Sequence, residues 1–222
     1  TICTGVADAS GAVERTLIRL HDHSLWETGF AARNYPNARR LLSADTASMS
    51  AGLNHLLFTT PDGSLFAQGS NAYGQFGNGS TTSASVPVDV GVDGVKYVVA
   101  GWDFSLYIDG ANQLWGMGQN TYGQLGDGTT TNRSSPVLIA SDVAEVAAGL
   151  RHIIFRKFDN TLWGCGQNIY YQLGPPSALA VSTPMQIDSG VASITAGRLF
   201  TAYTKTDGTC WGMGYNYNGQ VG

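Results

Sequence analysis

The feature that most constrains this chain is a segment that recurs at an almost constant interval. Residues 118–126 read GQNTYGQLG, and related copies begin at residues 69, 166 and 214, which gives intervals of 49, 48 and 48 residues. An Ala-Gly pair repeats in the same register at residues 51, 100, 148 and 196. A degenerate fifth copy lies upstream, where Leu25, Trp26 and Gly29 match Leu65, Phe66 and Gly69 of the next unit. A period of roughly 20–50 residues indicates an array in which each repeat is one supersecondary unit.

Each unit carries the sequence signals of four short strands. In the unit around residue 150, apolar runs cover residues 143–148, 151–158 and 161–166, and a further run at 137–140 follows Pro136. Asp159 and Asn160 separate two of these runs, and such a pair tolerates the positive φ angles of a two-residue hairpin turn. Four short strands per repeat predict one blade of a β-propeller. The small residues of the Ala-Gly pairs predict that this end of each unit lies close to a shared axis.

These signals predict an all-β fold, a single β-propeller domain over residues 1–222. It has four-stranded blades and five units that begin near residues 11, 51, 100, 148 and 196. Residues 1–10 align with residues 138–147, so we expect the N-terminal strand to complete the last blade, which would leave no exposed edge. A closed ring of five blades and a five-unit part of a longer ring both remain open. Cys3 and Cys210 belong to the unit that the two termini would share, and a disulfide between them is one possibility.

The repeat also carries a family resemblance. The pattern V-x-x-V-A-A-G-x-x-H, followed by a hairpin and then by L-W-G-x-G-x-N-x-Y-G-Q-L-G-D-G-T-T, resembles the repeat of the regulator of chromosome condensation family. The resemblance is strong in the second to fifth units and weak in the first. It implies a propeller, commonly of seven blades, and it permits guanine-nucleotide exchange on a small GTPase. One fold carries many functions, so the resemblance alone does not define a partner.

Motifs for catalysis or metal binding are missing from the sequence. It has no zinc-type cysteine pairing, no Gly-x-Ser-x-Gly elbow and no phosphate-binding loop. His55 and His152 occupy the same repeat position, which predicts a structural hydrogen-bonding role. The formal net charge is −4 without a basic run, and no apolar stretch reaches membrane-spanning length, so we expect neither nucleic-acid binding nor membrane insertion. We therefore expect a non-enzymatic protein without cofactor or metal, and the low content of charged residues favours a secreted or cell-surface location.

Functional residues are expected where the copies differ, because the scaffold dictates the consensus positions. The residues that follow each Ala-Gly pair vary between units and should emerge together at one end of the ring, where Trp and Arg are typical interface anchors. The candidate partner-binding residues of this group are Trp102, Asp103, Arg151, Arg198 and Asn54. Residues 30–48 replace the consensus loop of the first unit and add the candidates Arg33, Tyr35, Arg39 and Arg40. Residues 37–42 are compatible with a short helical turn, and decay of a terminal repeat explains the whole segment equally well.

Three classes of function follow from these features. The first is a scaffold that binds a protein partner through one end face of the ring. The second is a carbohydrate-binding or surface-adhesion module, favoured by loops rich in Ser, Thr and Asn and by tyrosines that nearly repeat, namely Tyr73, Tyr122, Tyr170 and Tyr217. The third is nucleotide exchange on a small GTPase, by analogy with the family.

Overall fold

The computed structural model describes residues 5–11, 15–29, 40–175 and 178–222. Over these residues the regular elements are all β-strands, and they form five antiparallel sheets. The described ranges contain no helix with the length and apolarity needed to cross a bilayer. The predicted all-β propeller of five repeat units is confirmed.

The first three sheets follow one another along the chain. The first contains β1 (Val6–Gly11), β2 (Arg15–Leu20), β3 (Leu25–Gly29) and β4 (Arg40–Ser43). The second contains β5 (Ser48–Ala51), β6 (His55–Thr59), β7 (Leu65–Gly69) and β8 (Ala84–Asp89). The third contains β9 (Val95–Ala100), β10 (Phe104–Asp109), β11 (Leu114–Gly118) and β12 (Arg133–Ala140).

The last two sheets complete the series. The fourth contains β13 (Val143–Ala148), β14 (His152–Lys157), β15 (Leu162–Gln167) and β16 (Ala180–Asp188). The fifth contains β17 (Val191–Ala196), β18 (Phe200–Lys205) and β19 (Cys210–Gly214). In every sheet the strands pair in chain order, so each sheet is an antiparallel meander that starts with the strand leading into the Ala-Gly turn, or its equivalent in the first unit.

The N-terminal strand differs from its prediction. β1 pairs with β2, with Ala9 opposite Ile18, so residues 6–10 form the first strand of the first sheet and do not complete the last one. The prediction that residues 1–10 complete the last sheet is therefore wrong for residues 6–10, because they pair with β2. Residues 1–4, including Cys3, lie outside the described residues. The helical turn expected over residues 37–42 is also wrong for residues 40–42, which belong to β4.

The five sheets meet at a central channel. The first strands of all five sheets, β1, β5, β9, β13 and β17, line one cavity of about 770 Å³. Neighbouring first strands contact each other in chain order, from β1 and β5 through to β13 and β17. Small residues such as Ala100, Ala148 and Ala196 line this cavity, because bulky side chains would close the space around the axis.

The hydrophobic core lies between neighbouring sheets. Phe104, Leu114 and Leu125 of the third unit pack in one cluster with Ile153 and Phe155 of the fourth. The middle strands are covered on both faces, and all five residues of β6 are buried. Complete burial of each such Leu or Phe contributes roughly 2 kcal/mol. This packing holds the ends of the strands, and the turns between them, in fixed positions around the channel.

Candidate binding face at the Ala-Gly turns

The Ala-Gly turns are shaped by an aromatic ring that follows three residues after each glycine. At the fourth unit the Gly149 N–H donates to the His152 carbonyl at 2.9 Å, and the imidazole covers the glycine. A Cβ at residue 149 would collide with that ring and lie 2.7 Å from the carbonyl oxygen of Gly197 in the next unit. Glycine is therefore required at residue 149, because the neighbouring ring and carbonyl oxygen leave no space for a side chain. The turns of four units line one cavity of about 270 Å³, which confirms that these ends converge.

Trp102 and Arg198 meet at the wall of this cavity. The Arg198 guanidinium carbon lies 5.1 Å from the centroid of the Trp102 ring, which is a cation–π contact between the third and fifth units. The main chain fixes both turns, because the Trp102 carbonyl accepts from Leu53 N–H at 3.2 Å and the Arg198 carbonyl accepts from Leu150 N–H at 2.9 Å. Trp102 is half-buried and Arg198 is exposed. Two residues far apart in sequence thus form one site.

Arg151 forms a second cation–aromatic pair at the same end. Its guanidinium lies 4.6 Å from the centroid of the Tyr122 ring and donates a hydrogen bond of 2.9 Å to the Tyr122 hydroxyl. Burial raises the pKa of the nearby Asp103 carboxyl, and the positive charge of Arg151 opposes that rise. Asn54 is exposed, and its backbone carbonyl accepts a hydrogen bond of 2.8 Å from the Ser70 N–H. Trp102 and Arg198 thus line the cavity at the Ala-Gly turns, and Asn54, Asp103 and Arg151 directly follow the residues of the same turns that line it.

Buried amides hold the tyrosine-bearing loops on this end. In the third unit the Asn120 carbonyl oxygen Oδ1 accepts from Leu125 N–H at 2.9 Å, while its Nδ2 donates to the Thr129 carbonyl at 3.2 Å. Gln124 Oε1 accepts from Tyr122 N–H at 2.9 Å and so fixes the tyrosine. The bonds from a backbone N–H to the amide oxygen recur at equivalent residues, which are the buried Asn71, Asn168, Gln75 and Gln172 and the exposed Asn216 and Gln220.

The loops and the Ala-Gly turns together make one surface. Gln119 N–H donates to the Asp103 carbonyl at 3.0 Å and Gln167 N–H to the Arg151 carbonyl at 2.7 Å, so each loop is tied to the turn of its own unit. We call this surface the loop face and define it by Asn54, Trp102, Asp103, Tyr122, Arg151, Tyr170, Arg198 and Tyr215. The near-repeat of the tyrosines, together with a repeated Asn and Gln in each loop, was visible in the sequence. It did not indicate a binding site by itself, because the packing of the turns was sufficient to explain the repeated tyrosines.

The remaining candidates lie elsewhere or outside the described residues. Arg33, Tyr35 and Arg39 fall in the segment 30–39, which is outside the described ranges. The backbone of Arg40 begins β4, where it pairs with Glu27 of β3. The four residues therefore stay a prediction from the sequence.

The buried histidines have a structural role, as predicted from their repeat position. His55 Nε2 lies 2.9 Å from Ser105 Oγ, and His152 Nε2 lies 3.2 Å from Thr201 Oγ1, so each joins its unit to the next. Burial lowers the pKa of His152 to about 4. Within the part of the chain that the structure describes, no group of three or more His, Cys, Asp or Glu residues could hold a metal ion.

Comparison with known sequences identifies the family of this chain. Two profiles, each described as the regulator of chromosome condensation (RCC1) repeat, match the chain. One covers residues 62–108 and 111–155, and the other covers residues 95–124, 143–172 and 191–220. Together these matches span more than half of the chain. The chain belongs to the RCC1 repeat family. No sequence among the curated proteins matches it.

Solved structures, two of them of yeast RCC1 (Prp20), share its fold. Human WBSCR16 is 23% identical, with a TM-score of 0.83 over 95% of this chain and 62% of that one. Yeast RCC1 (Prp20), solved bound to Kap60, is 18% identical, with a TM-score of 0.85 over 95% of this chain and 56% of that one. A separate structure of Prp20p from Saccharomyces cerevisiae, described with its binding properties to Gsp1p and histones, gives 18% identity and a TM-score of 0.85 over 95% and 58%. The RCC1-repeat chain thus spans less than two thirds of each of these proteins.

Proposed function

We propose that this RCC1-repeat chain is a non-catalytic scaffold that binds a protein partner through the loop face. The observation that carries the proposal is the stack of Arg198, an exposed residue, on Trp102 at the cavity lined by the Ala-Gly turns. Trp, Tyr and Arg are the residues most enriched among those that dominate binding energy at protein interfaces. Four of them, in two cation–π pairs, lie on this one surface.

The loop face is also ordered before any partner arrives. Main-chain hydrogen bonds hold both turns of the Trp102–Arg198 pair, and a hydrogen bond to Tyr122 holds Arg151. Immobilising a flexible side chain on binding costs roughly 0.5–1.5 kcal/mol, and side chains that are already fixed avoid much of that cost. This preorganisation supports a role in binding.

The relatives support a protein as the partner. Yeast RCC1 (Prp20) was solved bound to Kap60, and Prp20p was described with its binding properties to Gsp1p and histones. Nucleotide exchange on a small GTPase stays an alternative by family analogy. The carbohydrate alternative needs polar groups beside the repeated tyrosines, but Asn71, Asn120 and Asn168 are buried and their amides bond to their own loops. Those amides are not offered to sugar hydroxyls, which supports the protein-binding proposal.

The test is a comparison of two variants that each remove one member of a cation–π pair. Trp102→Ala acts on the loop face, whereas Lys157→Ala acts on the pair in which Lys157 lies 5.3 Å from the Trp163 ring. Lys157 ends β14, and six residues of strand place it about 20 Å from the Ala-Gly turn. Partners captured with the wild-type chain would be identified by mass spectrometry, and their affinities measured by biolayer interferometry.

We expect Trp102→Ala to weaken binding of the partner about 30-fold, because central Trp anchors contribute roughly 2 kcal/mol or more. Lys157→Ala should leave the affinity unchanged. Equal affinity of the wild type and Trp102→Ala, with circular dichroism showing that both are folded, would contradict the proposal. Affinity for glycans on an array that is lost in Trp102→Ala would instead support the carbohydrate alternative.

A further inference from the structure

A second concavity opens on the loop face beside Arg198. It has a volume of about 380 Å³ and lies at the junction of the fourth and fifth units. Its lining consists of Tyr170 from the fourth unit and of residues 198–200, Tyr215, Asn218 and Gln220 from the fifth. We call it the tyrosine groove. Its size is within the range of sites that take a few side chains of a ligand.

The groove is open because the fifth unit departs from the arrangement of the fourth. Between the third and fourth units, Arg151 lies over the Tyr122 ring and bonds to its hydroxyl. Leu199 occupies the repeat position of Arg151 in the fifth unit, and among the described residues no arginine lies over the equivalent tyrosine, Tyr170. Tyr170 is 39% exposed.

Further tyrosines extend this aromatic wall. The rings of Tyr170 and Tyr215 meet edge to face, with centroids 5.2 Å apart and planes at 78°. Tyr215 in turn stacks on Tyr217, which is 87% exposed. Tyr215 stands where the third and fourth units have Gln119 and Gln167, so its ring is specific to the fifth unit. Flat aromatic faces of this kind pack well against proline and aliphatic side chains.

The charge of the groove is positive. Arg198 belongs to its lining, and no Asp or Glu does. Among the described residues the ion pairs join Asp127 to Arg133, Glu145 to Arg156 and Asp188 to Lys205, so Arg198 has no described carboxylate partner. Its stack on Trp102 holds the guanidinium at the edge of the groove with its N–H donors available. A guanidinium binds a carboxylate through two parallel, charge-assisted hydrogen bonds.

We propose that the tyrosine groove binds an extended peptide segment in which an Asp or Glu side chain stands next to proline or aliphatic residues. The carboxylate bonds to Arg198, and the adjacent proline or aliphatic side chain packs on Tyr170 and Tyr215. This inference rests on the proposed function, because it names the kind of partner segment that the loop face recognises.

The test uses two fluorescein-labelled peptides of equal length, one built from Asp-Pro-Leu repeats and the other from Asn-Pro-Leu repeats. Fluorescence anisotropy with the wild-type chain should show at least roughly tenfold tighter binding of the Asp peptide, since only the carboxylate forms charge-assisted hydrogen bonds with Arg198. Arg198→Gln should remove that preference. Tyr170→Ala and Tyr215→Ala should weaken both peptides, and Lys157→Gln, which removes a positive charge far from the groove, should change neither.

Equal affinity of the wild type for the two peptides would overturn the inference, and so would a preference for the Asp peptide that survives in Arg198→Gln. The two proposals can fail separately. If the peptides do not bind but Trp102→Ala still weakens the captured partner, the peptide inference alone is wrong. If the peptides bind as expected but Trp102→Ala leaves partner affinity unchanged, the proposed function alone is wrong.

Discussion

Acid should weaken the junction between the fourth and fifth units through one histidine. His152 is fully buried, and burial lowers the pKa of its imidazole from the ordinary value of 6.5 to about 4. In the unfolded chain the imidazole regains its ordinary pKa, so the unfolded state binds more protons between these two values. The free energy of unfolding therefore keeps its full value, as far as His152 is concerned, above pH 6.5. It decreases as the pH falls from 6.5 towards 4, because protons then bind the unfolded chain in preference to the folded one. At about 1.36 kcal/mol per pKa unit, the loss is about 3 kcal/mol.

The chain itself supplies a matched variant for this prediction. His55 and His152 face Ser105 and Thr201 of the next unit, whereas Phe104, at the same repeat position, shares an apolar cluster with the corresponding residue, Ile153. The double variant His152→Phe, Thr201→Ile therefore copies a junction that already exists one unit earlier. It keeps a ring over Gly149, as Phe104 keeps one over Gly101, and it removes the titrating group.

Urea denaturation at a series of pH values between 7 and 4 measures the effect. We expect the free energy of unfolding of the wild type to fall by about 3 kcal/mol more than that of the double variant over this range. Carboxylates that lose stabilisation on protonation contribute equally to both proteins and cancel. Parallel pH profiles of the two proteins would refute the reasoning, because they would show that His152 is not held neutral by its burial.

Three further predictions concern stability and are measured by urea denaturation. Gly149→Ala should lower the free energy of unfolding by about 1–3 kcal/mol, because its Cβ would collide with a buried ring. Gly110→Ala is the control and should cost far less, since a Cβ there comes no closer than 3.6 Å to a neighbouring atom. Equal losses in the two variants would contradict the close approach at Gly149. Tyr171→Gly should stabilise the chain by about 1 kcal/mol, because Tyr171 has a φ of 61° at a position where other units have glycine, and a loss of stability would show that the tyrosine side chain outweighs this strain. Asp127→Asn should cost about 1–2 kcal/mol because it breaks the 2.6 Å ion pair with Arg133, and an unchanged unfolding midpoint would contradict that contribution.

The architecture follows from the sequence because its markers repeat in one register. Each marker corresponds to a physical requirement, such as the small residue beside the channel at Ala148 or the glycine under a ring at Gly149. The assignment of residues 6–10 to the last blade was wrong even though their alignment was sound. They align with residues 143–147 of β13, which is the first strand of its sheet, and β1 is likewise the first strand of its own sheet and pairs with β2.

The site could be predicted only in part. The position of Trp102 and Arg198 on one face followed from their repeat position, but their stacking depends on how closely the third and fifth units approach around the channel. The tyrosine groove depends on two substitutions acting together, Leu199 where the fourth unit has Arg151 and Tyr215 where it has Gln167. Their combined effect becomes visible only when the two units are packed against each other.

The most direct test of the central claim, that partners dock on the loop face, is hydrogen–deuterium exchange of the free chain and of its complex with a captured partner. We predict that the partner slows exchange in the turns at residues 101–103, 149–151 and 197–199 and in the loops at 118–126 and 166–174. The hairpin turns at residues 62–63, 159–160 and 207–208 should exchange at the same rate in both states. Slower exchange at these hairpins, with unchanged exchange at the Ala-Gly turns, would contradict the claim.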